Sequence, residues 1–151
     1  MATDIEKMLR LVTERVGTRL PESIQAESVM QDEEGHVYLR LAIAVHRDII
    51  NEIGYYAHPD VSVDVAAAMA ALTQLARGKA IMAASLITAG TIAAELSDGD
   101  RLDEENLDAV NMAALMLREC LRNYSASYNR ARAERLKKRD GSEQAVDGER
   151  T

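Results

Sequence analysis

The chain has no Phe and no Trp, one Cys and two Pro among 151 residues. Without large rings, its core must be filled by Leu, Ile, Val, Ala and seven Met. Small Ala side chains let helices approach closely, and Met fills irregular gaps. The single Cys120 excludes an intramolecular disulfide. A reducing cytoplasm is the simplest expected home. No run of about 20 uncharged apolar residues is present, which argues against a spanning helix. The longest uncharged run, Ala80 to Ala94, is interrupted by Ser85, Thr88, Gly90 and Thr91. Asp4, Glu6, Lys7 and Arg10 break up the first residues, so no signal peptide is expected. Clustered positive charge is also scarce. The formal net charge of −7 disfavours nucleic acid as a partner, because phosphate contacts need clustered cations. The local exception, Arg130 to Arg139, holds six cationic residues and one Glu. It reads either as a solvated helix end, where cations suit the dipole, or as a docking patch for an acidic partner.

What is present suits one folded domain. A chain this long buries roughly two-thirds of its unfolded surface, enough for a core without metal or disulfide. The expected boundaries are a single domain over 1–136 and a disordered polar tail over 137–151.

Local patterns set the element order. Residues 3–20 read as a helix: Thr3 and Glu6 have capping-box spacing, Ile5, Met8, Leu9, Val12 and Val16 form an apolar stripe, and Pro21 stops it. Ser23 to Gln31 reads as a strand, followed by a turn at Asp32-Glu33-Glu34-Gly35. In "HVYLRLAIAV", Val37, Leu39, Leu41, Ile43 and Val45 alternate onto one face. Ile49 to Tyr56 supplies a third strand, rich in β-branched and aromatic residues. Three strands joined by short turns imply an antiparallel meander. Val63 to Arg77 then reads as a helix, with Asp60 or Ser62 as N-cap and Gly78 at the left-handed position beyond its end. Short helical pieces follow over Ala80 to Ile87 and Thr91 to Leu96. A long helix starts near Asp103, with a seam through Leu107, Val110, Ala114, Leu117, Leu121, Tyr124 and Tyr128. The whole is α+β: an N-terminal helix, a three-stranded antiparallel sheet, then several helices packed on one face.

Several of these stretches resemble the NifU/IscU-type iron–sulfur cluster assembly scaffold family. "HVYLRLAIAVHRDIINEI" looks like the family's paired strands. "AALTQLARGKAIMAASLIT" is similar to its helix, Gly-Lys stop and following helix. "NMAALMLRECLRNY" resembles its closing helix. The resemblance covers roughly residues 35–124 and implies the family's fold. It also implies three Cys and an Asp as cluster ligands. Placed without gaps, those positions fall at Gly35, Val37, Ser62 and Ala109, so all four ligands are missing. Asp108 stands where the family has His. "SDGDRLDEENLD" stands where the family's Pro-rich chaperone-recognition segment is expected. Soft thiolates hold iron–sulfur clusters, and Gly, Val and Ala offer no ligand atom. By helix rise, Cys120 lies about 16 Å from the vacated Ala109 position, and it reads as a small buried hydrophobe.

Oxygen and nitrogen groups stand around the vacated turns. His36, His58, Asp60, Asp64 and Asp108 form a His/carboxylate set suited to zinc or another divalent metal. The plainer reading puts Asp60 and Asp64 in a helix first turn and leaves the His as surface residues. No phosphate loop is present, since "GKA" at 78–80 lacks the Walker spacing. No Ser-His-Asp order or Cys-His pair suggests catalysis, so no enzyme and no cofactor is expected. The expected function is that of a cluster-free relative acting as a protein-interaction or structural module, accessory to iron–sulfur assembly. The alternative is a divalent-metal binding protein. The expected partners are a protein, drawn from the iron–sulfur assembly machinery, and a second copy of the chain, because Tyr55 and Tyr56 point to opposite faces of one strand and exposed Tyr favours interfaces.

Overall fold

A computed structural model of the chain describes residues 5–97 and 104–150. Helix α1 spans Ile5–Thr13 and buries Met8 and Leu11. It stops well short of Pro21, where the sequence placed its end. The chain turns instead through Arg15 and Gly17, both at positive φ. The reason is a contact distant in sequence. The Gly17 carbonyl accepts the Tyr55 N–H at 2.8 Å, and a Cβ on Gly17 would meet Thr73 Oγ1 at 2.2 Å. Glycine lets the backbone pass between a strand and a helix, and the helix unwinds to make that passage. Thr3 of the expected capping box lies outside the described residues.

The three strands are β1 (Ala26–Gln31), β2 (Val37–His46) and β3 (Ile49–Ala57), paired antiparallel in the order β1-β2-β3. Arg47 and Asp48 both take positive φ in the β2–β3 hairpin, which suits the right-handed strand twist. Of the alternating set, Leu39, Leu41 and Ile43 are fully buried and Val37 and Val45 half-buried, while Ala42 and Ala44 of the opposite face are buried as well. Ala42 pairs with Gly54. A Cβ on Gly54 would lie 2.0 Å from the Arg19 carbonyl oxygen, so the 17–20 segment covers that part of the second face.

Helix α2 (Val63–Ala76) is the central element, buried along most of its length from Ala66 to Thr73. Its Ala side chains permit close packing against α1, α4, α5 and β3. Gly78 follows at φ +82°, as expected. The Gly-Lys junction then joins the sheet edge: Gly78 N–H donates to the Ile50 carbonyl at 2.7 Å, and Ile50 N–H to the Lys79 carbonyl at 2.9 Å. Helix α3 is one turn, Ile81–Ala84. Helix α4 (Ala89–Leu96) starts at a capping box between Thr88 and Thr91.

Helix α5 spans Glu104–Arg150. It packs on β1, β2, α2 and α4, with Ser28 Oγ donating to the Met116 carbonyl at 2.8 Å. The middle of the seam is buried at Val110, Ala114, Leu117 and Leu121, while Leu107 and Tyr128 at its ends are exposed. The helix has no break at residue 136, so the stretch expected to be a disordered tail continues it to Arg150.

Candidate functional site

One end of the molecule gathers two turns and a helix around an open cleft of about 570 Å³. Asp32, His36, Val37, Tyr38 and Leu39 come from the β1–β2 turn and the start of β2. His58, Asp60, Val61 and Ser62 come from the β3–α2 connection, Val65 from the first turn of α2, and Met112 from α5. Each turn is held by its own hydrogen bonds. Asp32 Oδ1 accepts the Glu34 and His36 N–H groups, both at 2.9 Å. The His36 N–H above all holds the Asp32 carboxyl below its ordinary range; desolvation opposes it, and the Glu34 N–H adds to the lowering. Gly35 takes φ +88° in this turn. On the other side, His58 N–H donates to the Tyr38 carbonyl at 2.9 Å. His58 Nδ1 accepts the Asp60 N–H at 3.0 Å.

The imidazoles stay with local carboxylates. His36 Nδ1 lies 3.4 Å from Asp32 and 3.5 Å from Glu34, and His58 Nδ1 lies 3.6 Å from Asp60. Of the residues suggested for a metal, His36, His58 and Asp60 line the cleft, whereas Asp64 and Asp108 do not. Asp64 Oδ1 accepts the adjacent Val65 N–H at 3.0 Å, and Asp108 is exposed on α5. Among the described residues, no three His, Cys, Asp or Glu come together as a metal site. The divalent-metal set is therefore not assembled.

Of the positions where the resemblance sets cluster ligands, Val37 and Ser62 line the cleft. Ala109 is buried on α5, three residues before Met112 and on the same side of the helix. Gly35 lies in the turn beside His36, outside the lining. Ser62 occupies the N-cap position of α2, but its side chain makes no capping hydrogen bond. The expected cap is thus one of backbone only. Cys120 is fully buried, with Sγ 3.9 Å from the Leu41 carbonyl oxygen. Burial first, and the Glu27 carboxylate second, push its thiol up to about 12. It stays protonated and sheltered at neutral pH.

The profile of the family described as "NifU-like N terminal domain" matches residues 12–131. The chain belongs to this family. Its fold is similar to that of a candidate iron–sulfur cluster assembly scaffold protein for the SUF system from thermophilic Fervidobacterium islandicum AW-1. That likeness has a TM-score of 0.56 at 12% identity, over 77% of this chain and 94% of the other. A looser likeness, with a TM-score of 0.44 at 9% identity, links it to the N-terminal part of a nitrogen-fixing NifU-like protein from Brucella abortus, over 80% of this chain and 81% of that one. No curated protein matches the sequence. Within this NifU-like domain, the cleft is lined by Val37, Leu39, Val61, Val65 and Met112, with imidazoles and carboxylates beside them. Met112, Tyr38 and Val65 went unmarked in the sequence. The one available signal was the i, i+3 spacing from Ala109 to Met112.

No described helix is long and apolar enough to cross a membrane.

Proposed function

We propose that this NifU-like domain works in iron–sulfur cluster assembly without holding a cluster, as a protein-interaction module with no catalytic step. The observation that carries this reading is the cleft itself. Where the resemblance puts ligands, Val37 and Ala109 offer hydrocarbon, Gly35 no side chain and Ser62 a hydroxyl. A cluster needs several converging thiolates, and the one Cys is buried in the core. These residues do not fit a cluster as cargo. The module meets its protein partners in the cytoplasm and forms a homodimer. Tyr55 is buried, but Tyr56 on the other face of β3 is 42% exposed and Tyr128 is 48% exposed. Exposed Tyr of this kind suits an interface.

The test is genetic. Deleting the gene in its native cell should lower the activity of cluster-dependent enzymes. The native chain and Cys120→Ala should restore that activity equally. Unchanged enzyme activity would contradict a role in assembly, and failure of Cys120→Ala alone would contradict a cluster-free one.

A further inference from the structure

Beyond Tyr124, helix α5 leaves the core, and every residue from 125 to 139 is exposed. The segment Arg130 to Arg139 has a net charge of +5, against −7 for the whole chain. The rest of the chain therefore carries −12. Within the basic segment one large apolar side chain, Leu136, stands 50% exposed between Arg135 and Lys137. An exposed basic helix with an apolar anchor calls for an acidic surface with an apolar depression.

The cleft at the other end of the molecule is such a surface. Its floor is apolar, and no Lys or Arg is among its described lining residues. Beside it stand Asp32, Glu33, Glu34 and Asp60. The Glu34 and Asp60 side chains are 81% and 93% exposed. The helix cannot fill its own cleft. Met112 lines that cleft and Leu136 lies 24 residues further along the same helix, about 36 Å away at 1.5 Å per residue.

We propose that the basic segment of α5 seats in the acidic cleft of a second copy, with Leu136 on the apolar floor. The inference adds a surface to the self-association proposed above and does not depend on the link to cluster assembly. Both contacts can form at once. Tyr124 stands midway between Met112 and Leu136 in sequence. Two α5 helices aligned antiparallel about that point bring each Leu136 level with the other's Met112 along the axis, a closed two-fold arrangement.

The test is sedimentation of the full-length chain at low and at high salt. The native chain should show dimer mass at low salt and shift toward monomer at high salt, because the contact is screened. Two variants reverse the two surfaces. One carries Arg135→Glu, Lys137→Glu and Lys138→Glu. The other carries Glu33→Lys, Glu34→Lys and Asp60→Lys. All six side chains lie outside the core, and circular dichroism checks each fold. Each variant alone should be monomeric at low salt, and an equimolar mixture should recover dimer mass. Monomer mass for the native chain at every salt concentration would overturn both the self-association and this surface. A native dimer that persists in both variants would overturn the surface and leave the dimer. A monomeric native chain that binds heparin through the basic segment would replace the second copy with an anionic partner.

Discussion

Cys120 shows how far burial reaches into chemistry. Its thiol ionises at about 9 when free and at about 12 in the fold. A raised value means that the folded state favours the neutral thiol. The resulting stability is complete below pH 9 and is lost as pH rises toward 12. The urea midpoints of the native chain and Cys120→Ala should therefore draw together across that window. A thiol reagent should label the native chain at neutral pH only after denaturant is added. Two helix starts offer a second contrast. Thr88 and Thr91 cap α4 reciprocally, so Thr88→Ala should cost about 1 kcal/mol in a denaturant titration. Ser62 makes no side-chain cap, so Ser62→Ala should cost less than about 0.5 kcal/mol, below the usual range for a lost cap.

At the level of elements, periodicity carried most of the reading. The strand over Val37–His46 was legible from its alternation, and α2 from its Ala-rich run, its acidic first turn and Gly78. The seam of α5 was legible through its middle. Boundaries set by distant contacts were not. The end of α1 depends on Gly17 meeting Tyr55 and Thr73, and no local pattern contains that. Gly17→Ala should accordingly be severe, at more than about 2 kcal/mol, since positive φ and collision with Thr73 act together. Gly35→Ala, at positive φ with nothing within 4 Å, should cost only the backbone strain of about 1–2 kcal/mol. Packing of α5 offers a third measure. Met116 is 1% exposed, and Met116→Ala should lose about 2–5 kcal/mol through the cavity it leaves.

For the whole molecule, the resemblance located the turns and the helix that form the cleft, because the Gly-Lys junction and the strand pair anchor the register of the chain. It did not reveal how those turns pair. His36 and His58 each stay with carboxylates of their own turn, and only three-dimensional placement separates Asp64 and Asp108 from them. Met112 likewise depends on how α5 is rotated against the sheet. The charge separation between the cleft and the far end of α5 was half visible. The basic run stood out in sequence, while the acidic end is assembled from separate turns. The function proposed above has this NifU-like domain hold no cluster. Anaerobic reconstitution with iron and sulfide, followed by desalting, iron analysis and a visible spectrum, tests it most directly. The expected result is a colourless, folded protein without stoichiometric iron. A stable brown species with stoichiometric iron, lost in Cys120→Ala, would contradict it.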